Sequence, residues 1–281
     1  MKKTSKIVTL ALLIAFFIGL SVLLYPAISQ YWNSRLEMKA IIEYEQMASK
    51  ISDDDFQKML EEARKYNEKI NTFGFPLVEA KELEEYYSIL NLDGKGMMGY
   101  IGIDKLRLQI PIYHGTSDSV LNKACGHLEG TSLPVGGKGT HCVLSAHRGL
   151  STAKLFTELD KMEIGDVFTI TAFNEVLTYQ VDQIKIVVPT DTVDLAVDKN
   201  KDYCTLLTCT PYGINTHRLL VRGKRIETEK HSELIITSDA YLVNRLIVTP
   251  MVALPILFVL ILYVIFKPVK KKPKIEGDDE V

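Results

Sequence analysis

Residues 203–226 read YCTLLTCTPYGINTHRLLVRGKRI: a β-forming run that ends at Cys209, a turn, and a second β-forming run that opens at Arg218. β-Branched and aromatic residues favour strands, while Pro, Gly and Asn favour turns. Because the turn begins directly after Cys209, it exposes the last side chain of the first strand. The stretch therefore predicts two neighbouring strands with a cysteine well placed to react.

The same strand pattern recurs from residue 99 onward. Short β-forming runs bounded by Gly, Pro, Asp or Asn occupy residues 99–103, 106–112, 140–145, 167–173, 176–188, 203–209 and 218–226. Such runs predict a closed or nearly closed β-structure. Residues 153–162 interrupt them with apolar side chains at helical spacing, so the fold is predicted to be mainly β with peripheral helices.

An amphipathic helix is predicted upstream, at residues 52–70. Its apolar side chains recur at the spacing of one helical face, and Ser52 and Asp55 stand in the positions of a capping box. We expect this helix to cover one end of the β-structure. Residues 71–98 contain several Gly and Pro residues and are predicted to form an irregular connection with a helical turn.

Two long apolar segments, residues 7–30 and 246–266, contain no charged side chain. At a rise of 1.5 Å per residue, roughly 20 apolar residues cross a bilayer core of about 30 Å. Lysines precede the first segment and follow the second, and the positive-inside rule then places both flanks in the cytoplasm and residues 31–245 outside. A cleaved signal peptide for the first segment and a buried core helix for the second are the alternatives.

These observations predict six parts along the 281 residues. The β-region is long enough for one domain. The parts are an N-terminal signal anchor (1–30), a helical and irregular extension (31–98), a catalytic β-domain (99–228), a linker (229–245), a C-terminal transmembrane helix (246–266) and a cytoplasmic tail (267–281).

Charge and cysteine spacing exclude some classes of partner. The chain has 33 Lys and Arg against 35 Asp and Glu, so no overall field attracts nucleic acid. Its four cysteines lack the paired C-x-x-C spacing of metal sites, and a chain of this size does not need a disulfide framework. We therefore expect no metal and no cofactor, and one cysteine becomes a candidate for a reactive role.

Three residues are predicted to meet at one edge of the β-structure. His147 follows the predicted strand 140–145 and can face Cys209 at the end of its own strand. Arg218 opens the next strand, so its guanidinium can return to the same edge and hold an oxyanion. Each residue also has a structural reading, as a packed thiol, a satisfied histidine or a surface arginine, and His217 competes with His147.

Residues 205–209, Thr-Leu-Leu-Thr-Cys, resemble the nucleophile motif of sortases, in which Thr, Leu, any residue and Thr precede Cys. The continuation to Gly223 resembles the class C, pilus-assembling branch, and so do residues 112–116, 126–134 and 146–149. The resemblance covers roughly residues 45–228 and extends to the hydrophobic segments at both ends. It implies a sortase-type closed β-barrel of about eight strands, with N- and C-terminal transmembrane helices.

The resemblance also implies a role for each site residue. Cys209 corresponds to the nucleophile, His147 to the acid/base partner and Arg218 to the contact for substrate and oxyanion. A free cysteine has a pKa of roughly 8.5 and is mostly protonated near neutral pH, so such a nucleophile needs a neighbouring base. Substrate-binding residues are expected at Ala146, Leu207 and Thr208.

A class C sortase is expected to cleave an LPXTG-like sorting signal between Thr and Gly through a thioester. It passes the acyl group to an amine, here a pilin lysine or, failing that, a cell-wall peptide amine. The implied partners are pilins or surface proteins with such signals and the membrane bilayer, with the catalytic domain on the outer face of a Gram-positive-type cell. A secreted cysteine protease and a non-catalytic membrane scaffold are the alternatives.

Class C sortases usually carry a lid formed by an acidic residue, a proline and an aromatic residue. This sequence lacks that motif, and the stretch most similar to it is Phe73-Gly74-Phe75-Pro76. We therefore expect Cys209 to be at least partly open.

The remaining cysteines allow a prediction about register. Cys142 lies five residues before His147, and Cys204 lies five before Cys209. If the two strands are parallel neighbours in register, as the resemblance implies, Cys142 and Cys204 lie side by side, about 4.8 Å apart at the backbone. Because five is odd, both thiols should point away from the catalytic groove and into the barrel, as free thiols.

Overall fold

A computed structural model describes residues 2–73, 85–92, 94–228, 253–259 and 261–263. It divides into two compact units, one formed by Met1–Tyr25 with Ile236–Val281 and the other by Pro26–Ile235. The linker predicted at 229–245, the tail predicted at 267–281 and Gly74-Phe75-Pro76 of the stretch most similar to a lid motif lie outside the description, as does the side chain of Phe73.

The described residues of the first unit are apolar and helical. Helix α1 (Lys2–Ala48) begins in this unit, and its stretch from Ile7 contains a window of mean hydropathy 2.9 whose side chains are not buried. By length and composition, α1 is the one helix of the described chain that could span a membrane. Residues 253–259 and 261–263, part of the predicted C-terminal span, are helical as well, and the ring of Phe258 lies 4.7 Å from that of Phe17.

The second unit is built on a closed barrel of eight strands. The strands are β1 (Met97–Ile103), β2 (Leu108–His114), β3 (Cys125–His127), β4 (Thr140–Ser145), β5 (Val167–Ala172), β6 (Glu175–Val187), β7 (Asp202–Thr210) and β8 (His217–Ile226). Around the barrel the order is β1, β2, β3, β4, β7, β8, β6, β5, with parallel pairs at β2–β3 and β4–β7 and antiparallel pairs elsewhere. The predicted closed barrel is confirmed.

Seven of the eight strands overlap the predicted runs. The eighth, β3, has only three residues, too few to show an alternating pattern. The helical interpretation of residues 153–162 is wrong: they form turns and one 3₁₀ turn, Leu159–Lys161. Leu155 has a φ of 39°, and the Phe156 N–H donates to the carbonyl of His147 instead of a helical partner.

Helix α2 (Asp53–Phe73) packs on the barrel, and a short helix lies between β2 and β3. Helix α2 matches the predicted amphipathic helix, and one bond of the predicted capping box forms, from the Asp55 N–H to Ser52 Oγ at 3.2 Å. The Asp55 carboxylate accepts from the Ser52 hydroxyl at 2.8 Å instead of from the Ser52 backbone N–H. A four-residue helix, α3 (Asp118–Leu121), precedes β3.

The end of α1 completes the barrel at one seam. Strands β1 and β5 pair from Gly102 to Tyr100, and there the ladder stops. Two residues further on, the Tyr44 hydroxyl donates to the Met98 carbonyl and accepts from the Phe173 N–H, both at 2.9 Å. Tyr44 therefore supplies the contact that a further rung of the ladder would have made.

Strand alternation separates two apolar clusters at the active-site side of the barrel. One face of β4 and β7 contributes Cys142, Leu144, Cys204 and Leu206 to the main core. The opposite face packs in a smaller outer cluster made of Val143, Leu195 and Leu220, with Leu128, Val187 and Leu207 against it. The site residues described next continue these two faces beyond the strand ends.

Candidate active site

The parallel pair β4–β7 brings the two predicted catalytic strand ends to the same edge of the barrel. Its rungs run from Thr140 opposite Asp202 to Ser145 opposite Leu207. One further backbone bond follows, from the Ala146 N–H to the Leu207 carbonyl at 3.2 Å. His147 and Cys209 each lie two residues beyond the last rung, at equivalent positions of neighbouring strands.

Cys209 and Arg218 are direct cross-strand partners in the antiparallel pair β7–β8. Facing residues of such a pair have Cβ atoms about 4.5–5.5 Å apart and point to the same side of the sheet. The Arg218 guanidinium donates through Nη1 to the carbonyls of Asn215 at 3.2 Å and His217 at 3.1 Å. These bonds hold its position and leave its other N–H groups without a hydrogen bond to the described residues.

His147 is half-buried, and its backbone is fixed by the bond from the Phe156 N–H at 3.1 Å. Its ring makes no hydrogen bond with the part of the chain that the structure describes. Cys209 is likewise half-buried, so a substrate can reach its sulfur. That the side chains of His147 and Cys209 come together stays a prediction. Their equivalent positions beyond the last β4–β7 rung agree with it.

His217, the competing histidine, lies on the other face of β8. It is the cross-strand partner of Thr210, one residue past Cys209, so alternation turns it away from the thiol. Its ring contacts the neighbouring Thr216 hydroxyl at 2.9 Å. The topology thus favours His147 over His217 as the partner of Cys209.

The turn after Cys209 packs against the loop after His147. At Gly149, whose φ is 85°, an added Cβ would lie 3.0 Å from the Tyr212 ring. The Gly149 N–H also donates to the Thr157 hydroxyl at 3.2 Å. A glycine at this position lets the two loops approach closely at the entrance to the site.

The three residues expected to bind substrate occupy different environments. Ala146 and Thr208 are 3% and 1% exposed, and the Thr208 hydroxyl donates to the Ala146 carbonyl at 2.8 Å. Leu207 is half-buried on the outer face, against the outer cluster. Leu207 therefore lies on the face that carries Cys209, whereas Thr208 and Ala146 tie the two strand ends together from the interior.

The interior cysteines are arranged as predicted. Cys142 and Cys204 are paired in register, both are buried in the main core, and both are free thiols. Burial raises the pKa of the Cys204 thiol well above its usual range, and the same cause raises the pKa of Cys125. The Cys204 and Cys125 thiols therefore stay protonated within the core.

Sequence reasoning missed Arg148, the residue after His147. Its guanidinium donates to the Thr210 hydroxyl at 3.2 Å and to the Asp160 carboxylate at 2.5 Å. The side chain is only 10% exposed, which is unusual for arginine. Its position beside His147 was visible in the sequence, but its burial depends on the fold of the loop that holds Asp160.

Comparison with known proteins gives consistent matches. A family model described as a sortase domain matches residues 101–226. The crystal structure of sortase C1 from Streptococcus agalactiae is 48% identical, with a TM-score of 0.65, and the match covers 68% of this chain and all of that one. Sortase C from Streptococcus pneumoniae is 43% identical, with a TM-score of 0.63, over 68% of this chain and 97% of that one.

A curated relative is more distant. Sortase D of Bacillus subtilis (strain 168) is 29% identical over 131 residues, which are 46% of this chain and 63% of the relative's length. The chain thus spans less than two thirds of that protein, but nearly the whole of the class C structures. With a closed eight-stranded barrel and a cysteine at the end of β7, the chain belongs to the sortase family of cysteine transpeptidases and groups with its class C members.

Proposed function

We propose that this chain is a membrane-anchored transpeptidase that cleaves an LPXTG-like sorting signal between Thr and Gly and joins the new carboxyl end to an amine, in pilus assembly a pilin lysine. The observation that carries the proposal is the meeting of three strand ends at one edge of the barrel. Cys209 and Arg218 are cross-strand partners there, and His147 lies two residues beyond the end of the parallel neighbour β4.

The first half of the reaction forms an acyl-enzyme. The Cys209 thiolate attacks the carbonyl carbon of the scissile Thr–Gly bond, and the carbonyl oxygen gains negative charge. Arg218 is placed to stabilise that charge, an interaction worth on the order of 3 kcal/mol per donor. The C–N bond then breaks, His147 donates its proton to the departing Gly amine, and a thioester on Cys209 remains.

The second half transfers the acyl group. An incoming primary amine attacks the thioester carbonyl, His147 accepts the proton, and the Cys209 thiolate leaves as the new amide forms. Enzyme and proton count return to their starting state, so no cofactor is consumed. The exposed turn 211–216 lies next to Cys209 and leaves room for the large protein substrates that this step requires.

The partner class follows from the relatives. Sortase C of S. pneumoniae has been described with respect to pilin substrate specificity, and a further 45% identical structure belongs to a pilus island of the group B streptococcus. We extend pilin substrates to this chain on that similarity. Surface proteins with LPXTG-like signals are the broader partner class.

The proposed location is the outer face of the cell membrane. Helix α1 carries the apolar stretch, and lysines precede it at the cytoplasmic side under the positive-inside rule. Protease accessibility of the catalytic domain in intact cells tests this orientation.

The reaction itself is tested with the full chain in detergent. A peptide with an LPXTG sequence is incubated with and without a lysine-containing pilin fragment, and the products are identified by mass spectrometry. We expect a thioester adduct on Cys209 and an amide to lysine that exceeds hydrolysis. Hydrolysis alone with the acceptor present would indicate a protease. A peptide with a scrambled signal is the matched control, and equal turnover of both peptides would refute recognition of the signal.

A further inference from the structure

Arg148 stands immediately after His147 and is almost enclosed by protein, with 10% of its side chain exposed. A charged side chain is rarely buried to this degree unless it is paired. Its partners come from two different elements: the Thr210 hydroxyl on β7 at 3.2 Å and the Asp160 carboxylate in the 3₁₀ turn at 2.5 Å. Its Nε is buried without a hydrogen bond in the described chain.

Thr210 stands immediately after Cys209. It is 6% exposed, because it shares the interior side of β7 with Cys204, Leu206 and Thr208. Cys209 points to the opposite face. The Arg148–Thr210 bond therefore joins the residue after the histidine to the residue after the cysteine, on the side of the sheet that faces away from the groove.

Backbone bonds do not reach this level of the two strands. Their ladder ends at Ser145 opposite Leu207, and the Ala146 N–H makes the last main-chain contact. Within residues 94–228, which the structure describes without a gap, no backbone hydrogen bond joins 147–149 to 208–210. The contacts there are made by side chains, namely Thr208 to the Ala146 carbonyl and Arg148 to Thr210.

Asp160 fixes the other end of the arginine. The loop between His147 and the 3₁₀ turn is also held by hydrogen bonds that the Phe156 and Gly149 N–H groups donate. The backbone that carries the Asp160 carboxylate is therefore fixed. A planar guanidinium can serve two acceptors in a defined geometry, which an ammonium group cannot reproduce. The Arg148–Asp160 pair thus holds this loop at a fixed position against the end of β7.

We propose that Arg148 is a positioning residue for the transpeptidase reaction, whose guanidinium sets the separation of His147 and Cys209 through Thr210 and Asp160. The inference rests on the proposed roles of those two catalytic residues. A misplacement of about 1 Å at a catalytic pair can cost on the order of 100-fold in rate. The effect should therefore fall on kcat and leave KM nearly unchanged.

The experiment measures kcat, KM and thermal unfolding for variants of the full chain in detergent. Arg148→Met is expected to lower kcat by about 10- to 100-fold with KM changed by less than about threefold. Arg148→Lys should recover only part of the rate. The matched control is Arg222→Met, since Arg222 is also partly buried and paired with a carboxylate, Asp182, but lies four residues along β8 from Arg218. It should keep kcat.

A second set of variants keeps the test decisive if Arg148→Met fails to fold. Thr210→Val removes the acceptor and should lower kcat, whereas Thr210→Ser should restore it. In the double variant Arg148→Lys/Thr210→Val, the loss should be smaller than the product of the single losses, because both act on one contact. Parental kcat in a folded Arg148→Met, or equal kcat for Thr210→Val and Thr210→Ser, would overturn the positioning role.

Failure of the proposed catalytic role of Cys209 can be told apart from failure of the positioning role of Arg148. If Cys209→Ala kept the transfer reaction, the proposed function would fail regardless of Arg148. If Cys209→Ala were inactive while the Arg148 and Thr210 variants behaved like Arg222→Met, only the positioning role would fail. The rate of Cys209 alkylation by iodoacetamide is a further readout that needs no substrate, and Arg148→Met should change its pH profile while Arg222→Met should not.

Discussion

The parallel strands β4 and β7 carry cysteines in two contrasting environments, the barrel interior and the accessible edge. Five residues before positions 147 and 209, Cys142 and Cys204 face the interior and are buried as free thiols. Past the last rung, Cys209 faces outward and is accessible beside Arg218. The side chains are identical in type, so their reactivity is decided by strand parity and by the distance from the end of the ladder.

The first way to test this contrast is to remove each thiol in turn. Cys209→Ala should reduce transfer by at least about 1,000-fold, because no other group can form the thioester, and it should not lower the melting temperature. Cys204→Ala should keep kcat within about twofold. Initial rates on a sorting-signal peptide measure both. Residual activity of Cys209→Ala above a few per cent would contradict the assignment.

A second test concerns only the barrel interior around Cys204. Gly223 is the cross-strand partner of Cys204, and an added Cβ would lie 2.5 Å from the Phe168 ring and 2.8 Å from Tyr179 Cβ. Both aromatic residues are buried and stacked on each other, so neither can retreat. Gly223→Ala should lower the free energy of unfolding by about 1–3 kcal/mol, measured with urea.

Overpacking predicts a compensation that simple strand weakening does not. Phe168→Leu makes room beside residue 223, so it should cost less stability in the Gly223→Ala background than in the parent. Equal costs in both backgrounds would rule out a clash with Phe168 as the cause.

A third, smaller effect separates packing from chemistry within the interior. Cys204→Ala leaves a cavity of about one sulfur atom and should cost about 1 kcal/mol of unfolding free energy. Cys204→Ser should cost more, because its hydroxyl is a stronger hydrogen-bonding group than a thiol and is harder to bury. If serine proved as stable as the parent, the interior would contain water at this level.

The smallest effect is a pH dependence on the outer face of the same strands. His141 bonds the Ala196 carbonyl and the Thr205 hydroxyl, an arrangement suited to a neutral ring, and burial lowers its pKa below the ordinary 6.5. The unfolded chain therefore binds more protons near pH 6, so this stabilisation is complete above 6.5 and is lost as the pH falls.

His141→Gln should reduce the loss of stability between about pH 7.5 and about pH 5, since glutamine does not titrate. It should not abolish the loss, because burial lowers the pKa of His114 as well. Urea unfolding at the two pH values checks this. An unchanged slope in His141→Gln would show that His141 does not contribute.

The sequence predicted the two faces but not the contacts beyond them. Strand alternation placed the Cys142 and Cys204 side chains on the interior face, and turn chemistry marked the exposed position of Cys209, because both depend on local rules. The parallel register that sets Cys142 beside Cys204 was implied by the sortase resemblance. Arg148 was missed, since its role depends on Asp160, twelve residues away in a loop whose non-helical path is set by tertiary bonds. The apolar spacing of 153–162 predicted a helix, whereas core packing of Leu155 and Phe156 overrode that preference.

Helix α1 carries the apolar stretch and also, through Tyr44, completes the barrel between β1 and β5. Tyr44, Ile41 and Ala48 are buried parts of the enzyme, although they belong to the helix that carries the apolar membrane stretch. The effect of proteolysis in α1 would therefore depend on where a protease cuts. A cut between the apolar stretch and residue 40 would leave the seam closed, while a cut after residue 48 would leave the Met98 carbonyl and the Phe173 N–H without a shared partner on the same chain fragment.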